Sequence, residues 1–466
     1  MYFKIIQKYD KIITQGSDTM DNTIAAISTA LGIGAISIVR VSGKDAINIV
    51  NKIFKGKDLT NVPTHTIHYG HIVEEDNIID EVLVSVMRAP KTFTAEDVVE
   101  INCHGGIATT NKVLELVLTN GATLAEPGEF SKRAFLNGRI DLVEADGIIN
   151  LINAKTDKAR TMSINQLSGS VSNQINSLRN HLVNIISNIE VNIDYPEYED
   201  IEVVTNEKIL PDLKTLNQEL KHLITTSEDG KLINEGINIG IIGRPNVGKS
   251  SLLNALLEED KAIVTDIEGT TRDIVEGTIT LNGIILNFID TAGIRDTNNI
   301  VEKIGVEKSK SIISKSDLII YMLNNNEPLT KEDEELLSQL HTQKHIIVIN
   351  KTDLPTKLDY PAEAIKISIK NNAGIQKIKD KIIELFNLEQ LEQEDLSYLS
   401  NARSIALLKQ AQKYLDEALN NITSGDPIDI VEINIKECWS KLGEIIGQTY
   451  TDELIDEMFS RFCLGK

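Results

Sequence analysis

Three short clusters of residues have the types and spacing to do chemistry. The first, Gly243-Arg-Pro-Asn-Val-Gly-Lys249-Ser250, has the spacing of a phosphate-binding loop. Its glycines let backbone N–H groups turn inward around phosphate oxygens. Lys249 can reach the β- and γ-phosphates, and Ser250 can offer its hydroxyl to Mg²⁺. The second cluster, Asp290-Thr-Ala-Gly293, supplies a carboxylate for a magnesium-bound water and an N–H for the γ-phosphate. The third is Asn350-Lys351-Thr-Asp353. Asp353 can accept from guanine N1–H and the 2-amino group; adenine has neither donor, so a buried carboxylate would stay unpaired against it. Ser368-Ile-Lys370 would then close the base pocket. An Asp-Thr-x-Gly turn is common by itself, but three clusters in this order imply binding and hydrolysis of GTP over ATP.

Between the first two clusters lies Gly269-Thr270-Thr271-Arg-Asp273. A hydroxyl here is needed as the second protein ligand to Mg²⁺, and chemistry alone leaves Thr270 and Thr271 equivalent. Ile294 occupies the place where Ras-like enzymes carry a water-orienting glutamine. Another polar residue must do that work; Arg295, Asp296, Glu302 and Lys303 are all near enough.

These clusters need elements to hold them. Gly236–Ile242 reads as a buried strand running into the phosphate loop, and Ser251–Leu257 as the helix after it. Ile284–Ile289, Ile346–Ile349 and Ala364–Ile367 read as strands ending at the other motifs, so strand–helix alternation from about Gly236 to Leu388 predicts a nucleotide-binding α/β domain. Upstream, 34–41, 64–73, 81–87 and 98–104 are β-like, with helical spacing at 45–54 and 107–119. From about Ile140 apolar residues recur at three and four, and helical spacing returns after Leu388. A further helix is predicted over 210–226. Neither helical half has a clear way to bury its stripe alone; together they do. The fold class is multidomain α/β plus all-α: a Ras-like P-loop GTPase domain inserted in a discontinuous helical domain, preceded by an α/β domain. The expected boundaries are a loose extension over 1–19, then 20–139, 140–234, 235–388 and 389–466.

Bulk properties narrow the classes. The chain has 466 residues, 41% of them hydrophobic, enough for several packed cores. A net charge of -22 argues against a nucleic-acid clamp; contacts to RNA phosphates would need a local basic patch or a partner. Three scattered cysteines, Cys103, Cys438 and Cys463, suit a reducing cytosol and exclude a disulfide framework or zinc knuckle. No apolar run reaches the roughly 20 residues of a membrane span, so a cytoplasmic protein without membrane contact is expected.

Three further stretches, APKTFTAEDVVEINCHGG (89–106), PGEFSKRAFLNGRIDLVEAD (127–146) and FCLGK (462–466), are not general GTPase features. With them the chain resembles the MnmE (TrmE) family of tRNA modification GTPases from about Met20 to Lys466. The resemblance implies that the first α/β domain binds folate and pairs two copies as a homodimer. It implies a heterotetramer with an FAD-dependent partner, MnmG. Together these modify carbon 5 of the wobble uridine (position 34) of certain tRNAs, adding an aminomethyl or carboxymethylaminomethyl group from a tetrahydrofolate one-carbon unit. Nucleotide contacts then fall on Asn246, Val247, Gly248, Lys249, Ser250 and Ser251, and on Thr265, Asp266, Ile267, Glu268, Gly269, Thr270 and Thr271. They continue through Asp290, Thr291, Ala292 and Gly293, then Asn350, Lys351 and Asp353, and end at Ser368, Ile369 and Lys370.

The family's hydrolysis depends on potassium. Asn246, Thr265, Ile267 and Thr270 match its K⁺ ligands, which makes Thr271 the Mg²⁺ ligand, while Glu302 matches its water-orienting acid and joins Lys249 as catalytic. A monovalent cation at the β/γ-phosphates takes the charge-stabilising place of an arginine finger. Arg40, Glu100, Arg139 and Lys466 match the folate-binding positions. Cys463 belongs to the terminal motif. The loop TALGIGAIS (29–37) lacks the prolines many relatives have, which bears on folate geometry rather than fold. The competing reading is a GTP-dependent ribosome-assembly switch of Era or Der type. Against it stand a single phosphate loop, the absence of a basic module after the G domain, and the stretches at 127–146 and 462–466.

Overall fold

The structure is a computed structural model that describes residues 22–194, 206–259, 275–289, 311–360, 363–389 and 398–465. The chain forms two compact units, Met1–Ala145 with Gly443–Lys466, and Asp146–Leu442.

The first unit is built on a seven-stranded sheet ordered β3-β4-β5-β6-β2-β1-β7. Its strands are β1 (Ile24–Ile27), β2 (Ile36–Ser42), β3 (Phe54–Lys55), β4 (Thr66–Glu74), β5 (Asn77–Met87), β6 (Val98–His104) and β7 (Thr123–Leu124). All neighbours are antiparallel except β1 and β7. Helices α1 (Ala46–Ile53) and α2 (Ile107–Thr119) pack on one face, where Val39, Val41, Val84, Val99 and Ile101 meet Ile49, Val50, Val113 and Val117. Period-two alternation turns Arg40 and Glu100, register partners on β2 and β6, away from that core. The predicted strand at 34–41 starts two residues later than expected, because Gly34 N–H bonds Gly105 C=O outside the ladder. The two segments approach closely there: a Cβ on Gly105 would lie 2.5 Å from the Gly34 oxygen.

Helix α3 (Glu129–Leu136) is tied down by a buried arginine. Arg133 donates to the carbonyl and side chain of Asn22 at 2.9 Å each, and pairs with Glu129 at 2.8 Å and Glu96 at 3.1 Å. The C-terminal helix Asp452–Ser460 buries Ile455 and Phe459 beside α3. Each such burial stabilises by roughly 1.5–3 kcal/mol. Gly128 begins α3 with φ +73°, and any Cβ there would strike the Phe459 carbonyl.

The second unit holds helices α4 (Leu142–Asn153), which crosses the unit boundary, α5 (Asp157–Leu167), α6 (Ser170–Asp194) and α7 (Asn206–Glu235). A six-stranded sheet follows, ordered β13-β12-β11-β8-β10-β9. Its strands are β8 (Ile237–Ile242), β9 (Val275–Leu281), β10 (Ile284–Ile289), β11 (Leu318–Asn324), β12 (His345–Asn350) and β13 (Ile365–Lys366); β9 alone runs antiparallel. α8 (Lys249–Glu259) and α9 (Lys331–Gln339) connect strands, and α10 (Ile375–Leu385), α11 (Ala402–Ser424) and α12 (Ile428–Ile446) follow the last strand. β11 is buried at every residue, as expected of a parallel strand covered on both faces.

The two stretches of helical spacing meet: Asn217 of α7 donates to Asp416 of α11 at 2.9 Å, and Lys409 pairs with Glu228 at 2.6 Å. Helix α7 outruns the predicted 210–226 at both ends. It runs through Gly230, whose added Cβ would lie 2.7 Å from the Leu399 carbonyl, because this close approach lets Ile233 join the sheet's own core with Ala159 and Met162.

Candidate functional site

The C-terminal ends of β8, β11 and β12 lie at one sheet edge, where doubly wound sheets bind ligands. β8 delivers the chain into the loop Gly243–Gly248, and α8 starts at Lys249. Gly243 and Gly248 have φ of +147° and +107°, closed to other residues, and Asn246 sits at +61°. A Cβ on Gly243 would lie 2.5 Å from the Met322 carbonyl of β11, so the loop is pressed onto the sheet. Lys249 is buried, and its Nζ donates to the carbonyls of Gly243 at 2.6 Å and Arg244 at 2.8 Å. Burial lowers its pKa from 10.5 to about 8, while Glu332 pulls the other way. An ammonium held only by loop carbonyls among the described residues is a position made for an anion. Ser250 and Ser251 are exposed in the first turn of α8, where the helix dipole also favours negative charge. Val247 is buried beneath the loop.

The base-recognition residues converge beside it. Asn350 ends β12, and its Nδ2 donates to the Val247 carbonyl at 2.8 Å; its Oδ1 accepts from Ile369 N at 3.4 Å. A Cβ on Gly248 would strike that amide. Asp353 is exposed and accepts from Ser368 Oγ at 2.8 Å. That bond, with Lys370 and Lys351 nearby, holds its carboxyl below the usual range, so it stays an acceptor. Lys351 takes φ +63° at the turn between them. The structure thus brings Val247, Gly248, Lys249, Asn350, Asp353, Ser368, Ile369 and Lys370 to one edge. Thr265, Asp266, Ile267, Glu268, Gly269, Thr270 and Thr271 lie outside the described residues, as do Asp290, Thr291, Ala292, Gly293, Glu302 and Lys466. Among the described residues no group of three His, Cys, Asp or Glu could hold a metal. Mg²⁺ at this edge would rest on the Ser250 hydroxyl and on phosphate oxygens, a hard-oxygen set that fits it.

In the first unit, Arg40 Nε donates to Glu100 Oε1 at 2.8 Å, and its Nη1 to the Gly465 carbonyl at 3.3 Å. Its guanidinium carbon lies 5.9 Å from the Phe93 ring centre and 5.7 Å from that of Phe130; Arg139 sits 5.5 Å over Phe93. A carboxylate, two cations and an aromatic face suit a planar heterocycle bearing N–H donors and an anionic tail. Gly465 is held by Ser28 Oγ at 3.0 Å and Cys463 is exposed, so the terminal motif reaches this face. Sequence reasoning missed Phe93, although it lies in one of the quoted stretches; its signal was an aromatic flanked by threonines next to a strand. It also missed Arg244, inside the phosphate loop itself.

A parallel-centred sheet, a glycine loop around a buried lysine, and a base cradle with an exposed carboxylate define a P-loop GTP-binding protein. Residues 23–139 match the family described as GTP-binding protein TrmE N-terminus, and residues 142–463 match the MnmE helical domain. The chain is 54% identical over 463 residues to the tRNA modification GTPase MnmE of Enterococcus faecalis, with 97% of this chain and 100% of that protein covered. It is 54% identical to that of Streptococcus thermophilus over 449 residues, covering 96% and 98%. Among solved structures, Aquifex aeolicus Era bound to GDP and AlF4⁻ shares 27% identity over 38% of this chain and 66% of that one, with a TM-score of 0.25. The G domain of the T. maritima FeoB iron transporter shares 28% over 32% and 97%, with a TM-score of 0.24. The chain belongs to the MnmE (TrmE) family of tRNA modification GTPases, a family of GTP hydrolases.

Proposed function

We propose that this chain binds and hydrolyses GTP at the edge formed by β8, β11 and β12, and that the hydrolysis serves modification of carbon 5 of the wobble uridine in tRNA. The observation that carries the first part is Lys249: a buried ammonium on two loop carbonyls beside an Asn350–Asp353–Ser368 base cradle. Lys249 would bind the β- and γ-phosphates, Ser250 and Thr271 would hold Mg²⁺, and Asp353 would select guanine. Glu302 would orient the attacking water. Family membership supports tRNA as the macromolecular substrate.

Asn246, with its left-handed backbone and exposed side chain, would ligate K⁺ together with Thr265, Ile267 and Thr270. Bound there, K⁺ would supply positive charge to the phosphates, with these residues holding it. Hydrolysis in KCl against NaCl tests this: a clear excess in potassium is expected, and equal rates would defeat it.

Arg40, Glu100, Arg139 and Lys466 would hold a tetrahydrofolate, Glu100 accepting from the pterin N–H groups and the cations meeting carbonyl and tail carboxylates. The folate supplies the one-carbon unit. The domain arrangement supported by the resemblance is a folate-binding, homodimer-forming unit, a discontinuous helical domain and an inserted G domain, working in the cytoplasm with the FAD-dependent MnmG. Among the described residues no helix is long and apolar enough to cross a membrane. Deleting the gene and profiling tRNA nucleosides by mass spectrometry tests the modification role: wobble-uridine derivatives should vanish, and an unchanged profile would refute it.

A further inference from the structure

Arg244 is the one cation of the phosphate loop besides Lys249, and so the obvious candidate to stabilise charge on a leaving phosphoryl group. Its surroundings argue otherwise. Its Nε lies 3.0 Å from Asp333 Oδ2 and its Nη2 3.1 Å from Glu327 Oε2. Asp333 is fully buried. It is already the capping residue of α9, accepting from Thr330 N at 3.0 Å and Thr330 Oγ1 at 2.7 Å, and its other oxygen accepts from Tyr321 of β11 at 2.9 Å. Glu327 is fixed in turn by Asn324 Nδ2 at 2.6 Å. A guanidinium between two anchored carboxylates cannot swing to a phosphate without stranding a buried charge. Meanwhile the main-chain carbonyl of the same residue accepts from Lys249 Nζ at 2.8 Å.

We propose that Arg244 is a positioning residue: its side chain, paired with Glu327 of the loop after β11 and Asp333 in the first turn of α9, fixes the loop carbonyls that place Lys249, so that the loop is shaped for phosphate before nucleotide arrives. This rests on the reading of the site as a GTP site. Because the loop's shape serves any nucleotide with a β-phosphate, the effect falls on GDP and GTP alike and not on the chemical step.

The test uses the full chain, titrated with fluorescent GDP and GTP and followed by single-turnover hydrolysis and thermal unfolding. Arg244→Met should weaken both nucleotides about tenfold, keep hydrolysis of bound GTP within about twofold, and lower the melting temperature by stranding Asp333. The double variant Arg244→Met with Asp333→Asn removes that stranded charge; the amide oxygen still accepts from Thr330, and the amide N–H donates to the Tyr321 hydroxyl. Its stability should recover while its nucleotide affinity stays low. Affinity that recovers together with stability would make the clamp merely structural and overturn the proposal. Hydrolysis falling about 10³-fold with binding intact would overturn it in favour of a charge-stabilising role. If the parent chain binds no guanine nucleotide, the GTP reading itself fails, and that result shows before any variant is made.

Discussion

At the edge of the six-stranded sheet, the eight consecutive residues from Gly243 to Ser250 carry most of the phosphate site, and much of what would face a ligand is backbone. On the face of the seven-stranded sheet away from α1 and α2, Arg40, Phe93, Glu100, Phe130, Arg139 and the Gly465 carbonyl come from four separate stretches. The first site is held by φ angles that only glycine takes easily, the second by strand register and side-chain stacking. A backbone site tolerates little change in its few glycines and its lysine, and much elsewhere. A side-chain site spreads its energy, so each substitution should cost less.

Lys249→Ala should therefore produce the largest loss, lowering GTP hydrolysis by about 10²–10³-fold or more, as removal of one preorganised cation or donor does. Steady-state phosphate release measures it. Tetrahydrofolate binding to the same variant, followed by fluorescence titration, should be unchanged; a parallel loss there would dissolve the contrast between the two sites. Asp353→Asn should come next. The amide cannot accept both guanine donors, so GTP affinity should fall ~100-fold. Xanthosine triphosphate, whose 2-oxo group accepts where guanine donates, should bind this variant better than GTP does. Unchanged preference would place guanine recognition elsewhere.

The same difference in construction explains what could be read before the structure. The phosphate loop was visible because its residues are contiguous and each type has one chemical reason to be there. So were β12 and its Asn350, since a buried apolar run announces a covered strand. Helix α7 outruns its predicted end because Gly230 ordinarily weakens a helix, whereas the packing of Tyr398 and Leu399 against Gly230 overrides propensity. Arg40 and Arg139 read as ordinary surface arginines without the family resemblance, because only the β2–β6 register sets Arg40 beside Glu100. Arg133, quoted inside a motif, proved to be a buried structural pin, and nothing in its local spacing distinguished it from Arg139.

Glu100→Gln sharpens the second half of the comparison with a smaller effect. Tetrahydrofolate affinity should weaken about tenfold, the cost of losing one charged acceptor, while GTP hydrolysis by the chain alone holds steady. The Arg40–Glu100 pair is only 17% and 22% exposed, so breaking it should cost about 1–3 kcal/mol of stability. A collapse of folding in this variant would mean the pair is structural rather than ligand-binding.

The smallest effect lies at the end of the same strand. His104 Nδ1 is 2.7 Å from Asp80 Oδ1, and its backbone N–H donates to the other oxygen at 2.8 Å. The bond to Asp80 raises the imidazole pKa above 6.5 in the fold. The folded chain therefore binds more protons than the unfolded one between 6.5 and the raised value. The contribution is present in full below 6.5 and is lost as pH rises through the raised pKa, so the melting temperature should drift slightly downward across that window. The ring is 71% exposed, which keeps the drift small. Asp80→Asn should return the His104 titration, read by NMR, to about 6.5 and flatten the drift. GTP hydrolysis should not follow this titration, since no histidine lies between Gly243 and Ser250. If hydrolysis did track His104, the two sites would be coupled through the chain, and their separate construction would not mean separate function.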